Sequence, residues 1–192
     1  MYDIEKYTQI VKDRLSEYRF HHSVCVSESA KALARRYGAD ENKAELAGIL
    51  HDICKEDSLE DQLEIIKRAG YSMSELELNN KNCYHQLSSS AYAKVVLGID
   101  DDEILNSIRY HTTGRANMSL MEEIIYLADF ISADRKYKDI DIVRQETEKG
   151  KEYGMLYATK HTIKSVIDRE IPLHPDTLDT YNWLIKTYFK KG

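Results

Sequence analysis

The sequence predicts an all-α protein, a bundle of about eight to ten helices. Three observations carry this reading. Apolar residues recur at intervals of three and four through most of the chain, the period of a helix with one buried face. The only two prolines, Pro172 and Pro175, fall near the end, so nothing breaks the earlier helical stretches. No Asn-Gly or similar hairpin dipeptide separates alternating apolar runs. At 192 residues and 42% hydrophobic content the chain can bury one core, and residues 1–192 read as a single domain. No internal repeat or low-complexity linker interrupts it.

The elements follow in order. Ile4, Tyr7, Val11, Leu15 and Tyr18 step by three or four and define a first helix. A second carries His22 near its start and stops at Gly38, since glycine closes a helix in the left-handed conformation. A third opens near Asn42 and runs through the apolar stretch from Leu46 to Leu50 into the pair His51-Asp52. Leu59, Leu63 and Ile66 mark the next, closed at Gly70. After the polar stretch from Leu78 to Cys83, His85 begins another helix, which stops at Gly98. A helix over 102–111 ends on His111, ahead of Thr112, Thr113 and Gly114. Ser119 and Glu122 form a capping box for a helix over 120–131 that contains Asp129. His161 lies in a later helical stretch. The segment from Pro172 to Thr177 turns into a final helix marked by Leu178, Tyr181, Ile185 and Tyr188.

Charge and composition exclude several classes. The net charge is -6, whereas nucleic-acid binders usually carry a basic excess; no nucleic-acid partner is expected. A small phosphorylated ligand needs only a local basic pocket, for which Arg19, Lys55, Arg115 and Arg135 are the candidates. No apolar run approaches the ~20 residues of a membrane span, and the N-terminus lacks a basic-then-apolar signal pattern. A cytoplasmic protein with no membrane partner is expected. Three cysteines without C-x-x-C spacing argue against a disulfide framework or a zinc knuckle. Cys54, close to Asp52, reads as a buried free thiol. Oligomeric state stays open, a homodimer included.

Six residues read as one metal site: His22, His51, Asp52, His85, His111 and Asp129. The anchor is His51-Asp52, set in an apolar stretch where a charge is costly unless compensated. A divalent cation compensates it. Adjacent side chains diverge by about 100° on a helix, but a short Asp and a longer His can still reach one ion between them. Separate helices converging on one point are a common way to build such a centre, and imidazole with carboxylate suits Fe, Mn, Zn or Ni. The chemistry expected is that of a metal-dependent hydrolase. His21 reads as a surface neighbour of His22, and His161 as structural.

The order H…HD…H…H…D is similar to that of the HD superfamily of metal-dependent phosphohydrolases. The segments R-F-H-H-S (19–23), H-D-I-C-K (51–55), H-T-T-G-R (111–115), Y-L-A-D-F-I-S-A-D-R (126–135) and I-P-L-H-P-D-T-L-D-T-Y-N (171–182) resemble the YqeK family of bacterial HD-domain proteins. The resemblance runs from about residue 5 into the last helix. It implies hydrolysis of dinucleoside polyphosphates, with symmetrical cleavage of diadenosine tetraphosphate to two ADP, ADP or GDP being the products. It also implies an iron-bearing centre of one or two ions. Carried onto this chain, the metal ligands are His22, His51, Asp52 and Asp129. His85 and His111 line the same pocket and take either a second ion or the substrate phosphates. The catalytic set is then Asp52, Lys55, His85, His111 and Asp129. Phosphate contacts fall to Arg19, Lys55, His85, His111, Thr112, Thr113, Arg115 and Arg135, and nucleotide contacts to Pro172, His174 and Thr177. Two segments depart from the family pattern: S-A-D-R (132–135) stands in place of E-P-x-R, and His85 has unusual flanks, Y-H-Q-L-S-S-S (84–90). Two other readings are another HD-type nucleotide phosphohydrolase (a nucleotidase or a deoxynucleotide triphosphohydrolase) and a nucleotide-binding sensor with little turnover.

Overall fold

The computed structural model describes residues 1–189. Among these residues there are eleven α-helices and one 3-10 turn, and no strand. In chain order the helices are α1 (Ile4–Arg14), α2 (Glu17–Tyr37), α3 (Glu41–Leu50), α4 (Leu59–Arg68), α5 (Glu75–Asn79), α6 (Tyr84–Val95), α7 (Asp102–Arg109), α8 (Leu120–Ile131), α9 (Ile140–Lys149), α10 (Lys151–Asp168) and α11 (Pro175–Tyr188). The 3-10 turn Lys81–Cys83 precedes α6.

The helix count slightly exceeds the expected range because some breaks leave no mark in the apolar spacing. The run from Ile4 to Tyr18 is two helices. Ser16 interrupts it, its side chain accepting the Arg19 amide at the start of α2, and Tyr18 is left exposed. Likewise Gly150 separates α9 from α10. The expected caps are present. Gly38 closes α2 at φ 77°, and Ser119 and Glu122 make both bonds of a capping box on α8. A second box, Ser74 with Glu77, starts the five-residue α5. Helix α7 ends at Arg109, so His111 sits just past the helix in the following turn.

Helix α3 is the axis of the core. Ala44, Leu46, Ala47, Gly48, Ile49 and Leu50 are all buried, and a helix apolar all round belongs in the interior. It packs against α1, α2, α7 and α8. Its contact with α2 is close: a Cβ on Gly48 would lie 2.7 Å from the Ser27 Cα, and the Ser27 hydroxyl donates to the Glu45 carbonyl at 2.7 Å. The consequence for the site is direct, because α3 delivers His51 and Asp52 to the middle of the bundle. Helix α8, buried from Met121 to Ala128, packs on α2, α3 and α7 and carries the half-buried Asp129 to the same point. On one side α6 packs against α4 and α7; on the other α10 packs against α8, α9 and α11. Among the described residues no helix is long and apolar enough to cross a membrane. The three cysteines are buried and unpaired.

Candidate metal centre and adjoining cavity

Five segments meet at one point. They are α2 (His22), the turn after α3 (His51 and Asp52), α6 (His85), the turn after α7 (His111) and α8 (Asp129). His22 Nε2 lies 3.1 Å from Asp129 Oδ1 and 4.0 Å from Asp52 Oδ2. His51 Nε2 lies 3.6 Å from Asp52 Oδ2 and 3.9 Å from Asp129 Oδ1. His111 Nε2 is 3.6 Å from Asp52 Oδ1. Ligands of one cation with bonds near 2.1 Å stand roughly 3.0–3.4 Å apart, so small movements suffice to share an ion. Two sets of donors, His22-His51-Asp129 and His51-Asp52-His111, each lie within 4.8 Å of one another and share His51.

The histidines are turned for this task by the bonds behind them. His22 Nδ1 lies 2.8 Å from Asp134 Oδ2, His51 Nδ1 2.8 Å from the Gly48 carbonyl, and His111 Nδ1 2.7 Å from the Ile108 carbonyl. Each partner is an acceptor, so each Nδ1 carries the proton and each Nε2 is directed toward the centre. The buried atoms His51 Nε2 and Asp52 Oδ1 have no hydrogen-bond partner, a state that normally calls for an explanation. Their protonation states also suit a cation. Burial pushes the His51 imidazole down to about 4. Burial alone would raise the Asp52 carboxyl, but His51, Lys55 and His111 outweigh it and hold it well below the usual range. Asp129 is likewise held low, by Arg135 and His22 against its burial. Neutral imidazoles and ionised carboxylates are the forms that bind metal. His51 and the two carboxylates are in them, while, despite burial, the Asp129 carboxylate raises the His22 imidazole, so that an ion held there would displace a proton. The donor set fits a divalent ion.

His85 behaves differently. Its Nε2 faces Lys55 Nζ at 2.8 Å and Thr112 Oγ1 at 3.0 Å, with His111 Nε2 at 3.2 Å and Asp52 Oδ1 at 3.5 Å. Burial and the Lys55 ammonium hold its imidazole well below the ordinary value. The His85-Lys55 pair stands where the centre opens into a cavity of about 520 Å³. Lys55, His85, Thr112 and Thr113 line its inner end, and Pro172, His174 and Thr177 line it at the start of α11. His174 caps α11 by accepting the Asp176 amide on Nδ1, which leaves Nε2 buried and facing the Glu77 carboxylate at 3.7 Å.

The other expected residues divide. Arg19 donates to Asp52 Oδ2 at 2.8 Å. Arg135 donates to the Asp129 carbonyl at 2.8 Å and to its carboxylate. Arg115 does not line the cavity. Its guanidinium is committed to the buried Glu122 at 2.7 Å and lies over the Tyr110 ring. A buried carboxylate holds its counter-charge strongly. His21 is exposed, as expected, and His161 packs against Phe130 and Tyr137. The residue that sequence reasoning missed is Asp134. It lay inside the S-A-D-R segment, but nothing in its spacing shows that the chain turns back beneath α2 there. The Gly48 and Ile108 carbonyls left no signal at all, since backbone acceptors carry no residue type.

Comparison with known proteins adds to this geometry. Residues 19–134 match the HD domain. The chain is 37% identical over 180 residues, 94% of its own length and 96% of the relative's, to a symmetrical bis(5'-nucleosyl)-tetraphosphatase of Halalkalibacterium halodurans. It is 37% identical over 175 residues to a protein of the same name from Bacillus subtilis, covering 91% of this chain and 94% of that one. A crystal structure from Clostridium acetobutylicum, described as a predicted HD superfamily hydrolase involved in NAD metabolism, superposes with a TM-score of 0.92 at 39% identity, over 97% of this chain and 98% of the other.

Proposed function

The chain belongs to the HD-domain family, and from this we propose that it is a metal-dependent hydrolase of dinucleoside polyphosphates that cleaves diadenosine tetraphosphate symmetrically into two ADP. The observation that carries this reading is the convergence of three inward-facing imidazole nitrogens and two ionised carboxylates at the inner end of a cavity whose mixed polar and apolar walls suit a nucleotide. His22, His51, Asp52 and Asp129 would hold the ion, with His111 facing the same point. Iron is the ion we assign, on the sequence resemblance; Mn, Ni and Zn suit the same donors. When bound, a divalent cation supplies Lewis acidity and makes water acidic enough to be a nucleophile near neutral pH.

The chain's own residues do the rest. The ionised Asp129 orients the attacking water. Lys55, at the junction of centre and cavity, puts positive charge on the oxygens of the phosphorus attacked, and Arg19 and Arg135 add theirs from behind Asp52 and Asp129. Charges fixed in a partly dry site are effective because they need no reorganisation. The Thr112 hydroxyl, shared with His85, is free to turn toward a phosphate. The N-terminus of α11 suits a phosphate or ribose. One nucleoside diphosphate half then lies in the cavity and the other extends outward. Buried free thiols support a reducing, cytoplasmic setting.

Hydrolysis of diadenosine tetraphosphate in ¹⁸O-labelled water tests the assignment. The expected products are two ADP, with one labelled oxygen in half of the ADP formed. ATP plus AMP as first products would overturn the symmetrical assignment, and a nucleoside with free phosphate would point to a nucleotidase.

A further inference from the structure

We infer that Asp134 is a positioning residue that sets the metal affinity of this centre through His22. The inference rests on the metal-centre reading above. Helix α8 ends at Ile131, and a turn closed by the Arg135 amide on the Ser132 carbonyl at 3.1 Å brings the chain back beneath α2. Two successive side chains of that turn hold two ligands from different helices. Asp134 takes His22 Nδ1 at 2.8 Å, and Arg135 takes Asp129.

The three inward histidines are not equivalent. His51 and His111 each donate to a carbonyl three residues back, Gly48 and Ile108, which are neutral groups of their own local turn. Among the three, His22 has the charged partner, and that partner comes from a distant segment. A carbonyl only orients the ring. A carboxylate orients it and also raises its basicity, which strengthens the bond at the opposite nitrogen. Asp134 Oδ1 is buried without a hydrogen-bond partner, which carries a cost; against that burial, Ser132 of the same turn and His22 together hold the carboxyl below its usual range. His22 has further reason to need a hold: it lies early in α2, ahead of the tight contact between α2 and α3 at Ser27 and Gly48.

The test uses the full chain, stripped of metal, as wild type, Asp134→Asn and Asp134→Ala. Each is titrated with Mn²⁺, and the free ion is read by electron paramagnetic resonance. Asp134→Ala is expected to weaken binding by about 10–100-fold. Asp134→Asn, whose amide oxygen still accepts from Nδ1 but without charge, is expected to fall between. Metal-free Asp134→Asn, which keeps the bond to Nδ1, should unfold at nearly the wild-type temperature, whereas Asp134→Ala leaves a buried Nδ1–H without an acceptor and should unfold somewhat lower. Binding by Asp134→Ala within about twofold of wild type would overturn the inference. So would equal weakening in both variants accompanied by equal loss of metal-free thermal stability, because that is the behaviour of a residue that only packs its turn. A wild type that takes up no Mn²⁺ would instead overturn the metal-centre reading itself.

Discussion

Asp52 touches more of the centre than any neighbour: Arg19 at 2.8 Å, Lys55 at 3.7 Å, and His51, His85 and His111 at 3.5 to 3.6 Å. Asp52→Ala is expected to abolish turnover and tight metal binding while helical content, read by circular dichroism, stays near wild type. The removal also leaves Arg19 and Lys55 without their counter-charge. Metal-free stability should therefore fall, by about 1–3 kcal/mol, and unchanged activity would sink the site. The two outer histidines separate on geometry. His111 has its Nδ1 fixed on a carbonyl and its Nε2 inward, as His22 and His51 do, whereas His85 Nε2 is engaged by Lys55 and Thr112. His85→Ala should keep its metal, measured by elemental analysis, and lose turnover by about 100-fold. His111→Ala should lose metal affinity. The reverse pattern would exchange their roles.

Two helices position the site through contacts that single substitutions can test. In α3, Gly48 both permits the close approach to α2 and supplies the carbonyl that holds His51. A methyl group there meets the Ser27 backbone, which has no rotamer with which to yield. Gly48→Ala is expected to cost about 1–3 kcal/mol, seen in denaturant unfolding, and to weaken metal binding as His51 is displaced; a stable variant with normal metal content would refute the argument. Helix α5 is short, and Glu77 secures it. Its carboxylate accepts the Ser74 amide in the capping box and takes Arg109 of α7 at 2.6 Å. Despite burial, His174, Ser74 and Arg109 hold its carboxyl at about 2, against 4.5 for the ordinary group. A depressed carboxyl stabilises the fold fully above its unfolded value and loses that contribution as pH falls through the folded one. The window is therefore about 4.5 down to about 2. Glu77→Gln should be less stable than wild type at neutral pH by on the order of 2 kcal/mol, and the difference should shrink across that window. A constant difference would place the effect in packing rather than charge.

At the scale of the whole molecule, what could be read beforehand was what is local. Helix periods, Gly38, the Ser119-Glu122 box and the position of Asp129 within 120–131 depend on residues a few places apart. The break at Ser16 was hidden because Leu15 and Tyr18 happen to keep the spacing across it. Arg115 stands apart from the cavity, and Asp134 left no signal, because their partners are chosen by how the chain turns: Glu122 waits in the first turn of α8, and His22 is 112 residues away from Asp134. The donors themselves come from five segments spread between residues 22 and 129, and no local rule joins them. That dispersal has a measurable consequence. The unfolded chain holds no such cluster, so an ion that binds only the folded form stabilises the entire bundle by RT ln(1 + [L]/Kd), about 4 kcal/mol at 1,000-fold excess over Kd. For a chain of this size each kcal/mol moves the unfolding midpoint by roughly 2–4 °C. Adding the metal to stripped protein at that excess should therefore raise the midpoint by roughly 8–16 °C, and the rise should grow with the logarithm of free metal. His22→Ala should remove most of it, because one of the converging ligands is gone. A midpoint indifferent to metal in the wild type, or a rise that survives His22→Ala intact, would mean that the ion binds elsewhere and that these segments are joined by packing alone.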